Sequence, residues 1–270
     1  MKILNIIGTA ALAALLFSAS HVTYAADPEK TELKFGYSPG PSPDLFLKAV
    51  KPILEKKGYK VSTVVLSDLI LADLALNDKE IDFNVEQHGP FMEHFNETQD
   101  ARLFALADIP TFPAGIYPGR KKDLKELEDG DHFAIPSDAS NAARCLAIIQ
   151  QAGLIKLDPN KNLVRISVND IVENPRNLKF TELNSYSIPA VATDFDYILI
   201  TSPIIYNIKA DPTKAVFNET VQPYLMLKLV VHEDNKDKEW ARDLVSAYAS
   251  DELREYLRQN GNSYIYFPEK

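Results

Sequence analysis

The chain has 270 residues, of which 46% are hydrophobic, and its 38 acidic side chains outnumber 29 basic ones to give a net charge of −9. A surface of that sign argues against nucleic acid or an anionic membrane as a partner, and no basic run is longer than Arg120-Lys121-Lys122. Cys145 is the only cysteine, which excludes an internal disulfide and thiolate metal sites.

The N-terminus has the pattern of a secretory signal peptide. Lys2 precedes an apolar run over 3–17, and small residues lead up to Ala26. We predict cleavage after Ala25 and a mature protein that works outside the cytoplasm, in the periplasm. An uncleaved anchor is the alternative, but the run is short for a membrane span. Because this segment does not end in a lipobox cysteine, we expect no lipid anchor.

Strand-like and helix-like segments alternate along the remaining chain, which predicts α/β structure with mostly parallel sheets and helices on both faces. The first predicted strands are 33–38, 60–66, 81–85 and 102–109, with helices over 43–57 and 68–78. A second set has strands 132–136, 163–168, 178–183 and 197–202, with a helix over 141–152 that Gly153 ends. A strand over 224–233 and helices over 237–249 and 251–260 follow.

Two segments rich in proline or glycine, 109–119 and 209–223, separate these sets and predict two crossings between domains. We therefore predict a signal peptide over 1–25, one lobe formed by 26–112 and 218–270, and a second lobe formed by 113–217. Ligands of such proteins bind in the cleft at the carboxyl ends of the strands.

Arg144 lies in the first turns of the helix that follows the strand "HFAIP". Residues that favour helix N-caps, among them Ser137, Asp138 and Asn141, precede it. Because helix side chains lean toward the N-terminus, the guanidinium and the unpaired first-turn N–H groups converge on one point. We predict that a small carboxylate binds there. The alternative is that Arg144 pairs with Asp138 or is solvated.

The stretch "NVEQHGPFMEHF", residues 84–95, follows a predicted strand and places Glu86, Gln87 and His88 on a cleft loop. We interpret these three side chains as ligand contacts, with His88 as a capping or hydrogen-bonded loop residue as the alternative. A metal site that uses His88 and His94 is disfavoured. The two residues are six positions apart, and on a helix this spacing points their side chains in different directions. We predict neither a metal nor a cofactor.

Motifs of catalysis are absent from the sequence: it has no nucleophile elbow, phosphate loop or zinc-binding His-Glu-x-x-His. We therefore predict that the protein is not an enzyme. Glu86 and His88 acting as an acid/base pair form the alternative.

Four segments, "VEQHGPF", "IPSDASNAARCLAIIQQAGLIKL", "DIVENPRNLKFTEL" and "HEDNKDKEWARDLVSAYASDEL", resemble in order and spacing the methionine-binding proteins of ABC importers, the NlpA/methionine-binding lipoprotein family. The resemblance runs from about Leu33 to Leu253. It implies a two-lobed periplasmic-binding-protein fold of type II that closes on a free amino acid. It also implies delivery of that amino acid to a membrane permease and its ATPase.

Carried over by position, the resemblance implies that Arg144 holds the ligand carboxylate and that Asn141 lies beside it. Gln87 and His88 match a Gln-His pair next to the pocket for the ligand side chain. Two further positions match family aromatic residues, Phe112 and Tyr117.

Three features depart from the family pattern. Glu86 replaces an aromatic residue before the Gln-His pair, Thr201 replaces an asparagine that contacts the ligand head group, and the lipobox cysteine is missing. A carboxylate does not suit an apolar pocket for a thioether. Our hypothesis is that Glu86 selects a more polar or cationic ligand.

From these observations we predict a monomeric solute-binding protein of an ABC importer. Its ligand would be methionine, a related amino acid or a short peptide. The alternative is a surface or interaction protein that keeps the fold without transport.

Overall fold

The computed structural model describes residues 25–260, so the predicted signal peptide lies outside the described residues except for Ala25. The strands of the described part are β1 Glu32–Tyr37, β2 Lys60–Val65, β3 Phe83–Asn84, β4 Leu103–Asp108, β5 Gly115–Pro118, β6 His132–Pro136, β7 Lys156–Leu157, β8 Ile171–Glu173, β9 Lys179–Leu183, β10 Tyr197–Ile200, β11 Phe217–Asn218 and β12 Lys228–His232. The α-helices are α1 Pro41–Leu45, α2 Lys51–Lys57, α3 Leu69–Asn77, α4 Gly89–Gln99, α5 Ala139–Gln151, α6 Ser202–Asn207, α7 Glu239–Tyr248 and α8 Asp251–Asn260. A π-helical turn, Phe46–Val50, joins α1 to α2.

Two five-stranded mixed sheets organise the chain. The first has the order β2-β1-β3-β12-β4, and the second has the order β11-β5-β10-β6-β9. In the first sheet β12 runs antiparallel to both of its neighbours, while β1 pairs in parallel with β2 and β3. In the second sheet β6 pairs in parallel with β9 and β10, and β5 is the antiparallel strand. The prediction of two α/β lobes is confirmed, but the sheets are mixed and not mostly parallel, because each has two parallel and two antiparallel pairings.

Each sheet has its own hydrophobic core, because helices cover its apolar faces. In the first lobe the Phe35 ring stacks on Phe83 with centroids 5.1 Å apart, and Trp240 of α7 is buried in the same cluster. In the second lobe Phe133 stacks on Tyr197 at 5.0 Å, and α5 contributes a continuous buried face. Cys145 is fully buried on that face, and burial raises the pKa of its thiol.

Three local predictions were wrong. Segment 163–168 forms no strand, because Asn162 accepts a hydrogen bond from the Val164 backbone at 3.1 Å and turns the chain instead. The proline- and glycine-rich segment 109–119 contains β5, which finds partners on both sides in the second sheet. Helix α5 begins at Ala139 rather than Asn141, because Asp138 caps it.

The two crossings between the lobes run side by side. The first is 109–114 and the second is 219–227, since β11 still belongs to the second sheet. Backbone N–H of Ile109 donates to Leu227 O at 2.9 Å, and that of Glu219 donates to Ala114 O at 3.1 Å. The buried Thr111 hydroxyl accepts from Leu227 N at 2.8 Å and donates to Ile109 O at 2.9 Å. The connection is therefore a hydrogen-bonded pair of segments.

Between residues 25 and 260, no helix combines the length and the apolar character that crossing a membrane requires.

Thr111→Val should destabilise this connection, because it leaves the buried N–H of Leu227 without an acceptor. Such a loss costs about 1–3 kcal/mol of unfolding free energy. Urea denaturation measures it. Thr98→Val is the matched control, since Thr98 bonds the His94 carbonyl from an exposed position. Equal effects of the two substitutions would contradict a special role for Thr111.

Candidate functional site

A buried ion pair joins helix α5 to the crossings. Arg144 is 5% exposed, and its Nε donates to both carboxylate oxygens of Glu219, at 3.1 and 3.0 Å, while Nη2 donates to Oε1. Glu219 Oε1 also accepts from the backbone N–H of Ala114 at 2.6 Å. The Glu219 carboxylate therefore connects α5, the first crossing and the second crossing at one point.

The pairing with Glu219 leaves one edge of the Arg144 guanidinium for a ligand. A guanidinium carries five N–H groups, and Glu219 binds along the edge formed by Nε and Nη2. The other edge, Nη1 with the second Nη2 hydrogen, still has the fork geometry that binds a carboxylate. The binding of a ligand carboxylate by Arg144 stays a prediction, but the alternative partner proposed from sequence, Asp138, is not the one found.

The carboxylate of Asp138 caps the N-terminus of α5. Asp138 Oδ1 accepts from the backbone N–H of Asn141 at 3.0 Å, from the Asn141 side-chain amide at 3.0 Å and from the Ser140 hydroxyl at 3.2 Å. Asp138 is thus an N-cap that bonds Asn141 twice. The sequence predicts anion binding at the Arg144 guanidinium and at the N-terminus of α5. In the structure, carboxylates of the chain itself bind at both places, Glu219 at the first and Asp138 at the second.

His88 connects the two lobes. Its Nε2 lies 3.4 Å from Asn141 Oδ1, and its Nδ1 accepts from the Phe91 backbone N–H at 3.3 Å. An acceptor at Nδ1 requires the hydrogen on Nε2, so the ring donates to Asn141. Burial, with the charge of Arg144 as a second cause, lowers the pKa of His88 to about 3. His88 is therefore a neutral N-cap of α4 that also reaches across the cleft.

Gln87 points into the first lobe instead. Its Nε2 donates to Asp73 Oδ1 at 2.7 Å, and Asn84 Nδ2 donates to the same oxygen at 2.7 Å. All three side chains are at most 1% exposed. Asp73 Oδ2, Asn84 Oδ1 and Gln87 Oε1 are buried without a hydrogen-bond partner within the described chain. This network therefore contains more acceptors than donors.

Glu86 is held by hydrogen bonds from Ser38 of the first lobe. Its carboxylate accepts from the Ser38 backbone N–H at 3.0 and 2.9 Å and from the Ser38 hydroxyl. Burial raises the pKa of Glu86 to about 8, and the charges of Asp73 and Asp68 act in the same direction. The pKa of Tyr186, on the second lobe, is raised by burial and then by the charge of Glu86. Burial and acidic neighbours therefore both favour the protonated form of Glu86.

The remaining predicted contacts lie toward the crossings. Phe112 and Tyr117 line a cavity of about 200 Å³ together with Pro41 of α1 and Ser202 of α6. The Tyr117 hydroxyl donates to the Pro212 carbonyl at 3.4 Å. Thr201 is the residue before α6 and makes no capping bond through its side chain. Of the eight predicted residues, His88 contacts Asn141 and is affected by the charge of Arg144, whereas Phe112 and Tyr117 line this separate cavity.

Sequence reasoning missed Glu219, Asp73 and Ser38. Glu219 lies 75 positions from Arg144 in an irregular segment, so no local pattern connects the two. Asp73 did carry a signal, because it is the only charged residue inside the apolar helix "LILADLALN". In the structure Asp73 is fully buried, while the apolar Ile70 and Leu71 of the same helix are exposed.

Among residues 25–260, no group of three or more His, Cys, Asp or Glu side chains is arranged to hold a metal ion.

Known proteins match this chain over nearly its whole length. The family model described as NlpA lipoprotein matches residues 33–266. The D-methionine-binding lipoprotein MetQ of Escherichia coli K12 is 34% identical over 251 residues, which cover 91% of this chain and 92% of that protein.

Solved structures also match this chain over most of its length. A nutrient binding protein from Burkholderia cenocepacia bound to methionine is 28% identical, with a TM-score of 0.79 over 88% of this chain and 100% of that chain. A periplasmic substrate-binding protein of an ABC transporter from Coxiella burnetii is 26% identical, with a TM-score of 0.79 over 87% and 100% of the two chains.

Stability should fall as pH rises, because of Asp73 and Glu86. Burial raises the pKa of Asp73 to about 7 and that of Glu86 to about 8. The folded state therefore holds protons that the unfolded state releases above about pH 4. Each carboxyl then removes up to about 1.4 kcal/mol of stability per pH unit until the pH passes its folded pKa.

Asp73→Asn should remove the contribution of Asp73, and its amide supplies donors to the unpaired oxygens. We expect the variant to gain stability over the parent at about pH 9 and to lose that advantage toward about pH 5. Urea denaturation at several pH values measures this. Asp78→Asn is the control, because Asp78 is exposed at the end of the same helix. A pH dependence that Asp73→Asn leaves unchanged would show that Asp73 is not the titrating group.

Proposed function

The chain belongs to the NlpA lipoprotein family, and on that premise we propose that it is an extracytoplasmic solute-binding protein of an ABC importer. Its ligand is methionine or a related amino acid or short peptide, which it delivers to a membrane permease and its ATPase. The observation that carries this proposal is the meeting of Arg144, Asn141 and His88 where two α/β lobes approach each other.

The family and the matched structures are those of substrate-binding transport proteins, so the chain is not an enzyme. The neutrality of His88 agrees with this, since a ring whose pKa is lowered to about 3 is a poor proton acceptor near neutral pH. These observations argue against Glu86 and His88 acting as an acid/base pair.

The charges near Arg144 favour a zwitterionic head group. Arg144 and Glu219 are both buried and together carry no net charge. A ligand carboxylate on the second edge of Arg144 would bring one uncompensated negative charge into the site, which is costly at low dielectric. The ammonium group of an amino acid cancels that charge within the ligand itself. A free amino acid therefore fits this point better than a simple organic acid.

Native mass spectrometry of the protein recovered from the periplasm of an expression host is the first test. A thermal-shift screen of amino acids and dipeptides follows, because a ligand at 100 times its Kd adds about 2.7 kcal/mol of stability. We expect a co-purified amino acid or short peptide and a matching shift. If no such compound binds even at millimolar concentration, the proposal fails and a transport-inactive interaction protein becomes the better description.

Arg144→Lys should weaken binding about 10-fold or more. The lysine ammonium keeps a positive charge beside Glu219 but lacks the planar fork that holds two carboxylates at once. Isothermal titration calorimetry with the ligand identified above measures the change.

Arg120→Lys is the matched control for this substitution. Arg120 makes the same two-pronged pair with Asp196, at 3.0 and 2.9 Å, but its side chain is 52% exposed and lies away from the cleft contacts of Arg144. It should leave the affinity unchanged. An Arg144→Lys protein that binds as tightly as the parent would remove Arg144 from the list of ligand contacts.

A further inference from the structure

One face of helix α4 looks across a cavity at the second lobe. The cavity has a volume of about 340 Å³, and α4 contributes Pro90, Glu93, His94 and Glu97 to its wall. Intervals of three and four residues relate these positions, so they share one face of the helix. The opposite wall comes from Ala139, Ser140, Val164 and Arg165. The cavity therefore lies between the two lobes.

Two side-chain contacts join the lobes at the two ends of this face. At the start of α4, His88 Nε2 lies 3.4 Å from Asn141 Oδ1. In the last turn of α4, Glu97 Oε1 accepts from Arg165 Nη2 at 2.6 Å. A helix rises about 1.5 Å per residue, so the second contact lies about 13 Å along α4 from the first. The ion pair thus joins the lobes at a point outside the proposed head-group contacts.

Within residues 25–260, the pair of Arg165 and Glu97 is the one ion pair that connects the two lobes. The Arg144–Glu219 pair connects the second lobe to a crossing, and the remaining pairs lie within one lobe. The lobes also meet where α1 packs against α6, without an ion pair. The contact between the lobes should therefore depend on salt on its α4 side.

The turn that replaces the predicted strand over 163–168 presents Arg165 to α4. Asn162 accepts from the Val164 backbone N–H through its side chain, at 3.1 Å, and from the Arg165 backbone N–H through its carbonyl, at 2.9 Å. The next residue, Ile166, is 2% exposed and packs in the core of the second lobe. The backbone of Arg165 is therefore fixed on both sides, which lowers the entropy lost when its side chain pairs.

The position of Glu97 in α4 gives Arg165 a second favourable interaction. The C-terminus of a helix carries a partial negative charge, which disfavours a carboxylate in the last turn and favours a cation there. Helix α4 has no basic residue in its last turn. Arg165, which reaches this turn from the other lobe, therefore stabilises both the carboxylate and the helix end. Both interactions are lost when the lobes separate.

We propose, building on the solute-binding function above, that Arg165 and Glu97 form an interlobe latch. The latch forms when the lobes close and slows their reopening, so it lengthens the time for which a solute stays bound. The two side chains are 68% and 55% exposed, and exposed pairs contribute little. Loss of the pair should therefore speed dissociation about 2- to 5-fold. The latch affects how long a solute stays bound and not which solute binds.

Distances between two spin labels test the latch without any solute. Gln99→Cys and Leu163→Cys place a label two residues from each latch partner, at exposed positions. Cys145 should not react, because it is fully buried. We expect the measured distances to lengthen and broaden between about 0.01 M and about 1 M salt, since the Debye length falls from about 30 Å to about 3 Å. Arg165→Gln should cause the same change at low salt.

Substitutions separate the pair from the general charge of the surface. Arg165→Gln should lengthen the distances more than Glu97→Gln, because it also removes the cation from the end of α4. The exchange of Glu97→Arg with Arg165→Glu in one protein should restore short distances, whereas either reversal alone should not. Thermal unfolding verifies that each variant is folded.

Glu93→Gln is the matched control. Glu93 is exposed, lies one turn before Glu97 on the same face of α4 and makes no ion pair within residues 25–260. It should leave the distances and their salt dependence unchanged. Equal effects of Glu93→Gln and Glu97→Gln would show that the net charge of α4 acts, and not the pair.

Stopped-flow kinetics with L-methionine tests the role of the latch in retention. Glu97→Gln should raise the dissociation rate about 2- to 5-fold and leave the association rate unchanged, because the pair forms only after the lobes close on the solute. High salt should raise the dissociation rate of the parent by a similar factor and have little effect on the variant. A changed distance without faster dissociation would overturn the role in retention.

The outcomes separate the two proposals. Label distances that neither salt nor the substitutions change would overturn the latch and leave the solute-binding function intact. Absence of binding by L-methionine and by every other amino acid and dipeptide would overturn the solute-binding function and with it the role in retention. The label distances decide in either case whether the pair holds the lobes together.

Discussion

The buried pair of Arg144 and Glu219 is the interaction on which the arrangement of the two lobes depends. Two charges taken out of water are stable only if their hydrogen bonds are nearly complete, and Glu219 meets this condition with the Arg144 guanidinium and the Ala114 N–H. Removing either partner would leave an uncompensated buried charge. Helix α5 is thereby held against both crossings at a fixed point, and the residues of its first turn are presented to the opposite lobe.

The two sides of the cleft differ in how their charges are balanced. On the second lobe Glu219 neutralises Arg144 along one edge of the guanidinium, and Asp138 caps α5. On the first lobe the buried Asp73, Asn84 and Gln87 side chains have three oxygens without a hydrogen-bond partner in the described chain. If Arg144 binds the head group of a ligand, as we propose, the guanidinium edge that Glu219 leaves open determines the orientation of that group.

Sequence predicted the fold well, because parallel α/β structure has local signatures: apolar strands, amphipathic helices and their alternation in the chain. The prediction of a strand over 163–168 was wrong because the Asn162 side chain accepts a local backbone hydrogen bond. Strand β5 was not predicted because its segment is rich in proline and glycine, yet it forms by pairing with a strand on each side. The helix that carries Arg144 was predicted, with an error of two residues at its start.

The candidate site was predictable only in part, for a related reason. Arg144, Asn141 and His88 each follow a recognisable element, so their placement at the cleft follows from the topology. Their bonding partners do not, because Glu219 comes from a distant irregular segment and its pairing with Arg144 depends on how the two lobes connect. The direction of a side chain such as Gln87, which turns inward to Asp73, is set by packing.

Internal bonds at the cleft also limit what a ligand can gain. His88 donates to Asn141, Asn141 donates to Asp138, and Glu219 takes one edge of Arg144, so a head group that engages these side chains replaces existing hydrogen bonds. The net gain from such an exchange is small, of the order of 1 kcal/mol per bond. The proposed contacts of the head group should therefore set its orientation more than its affinity.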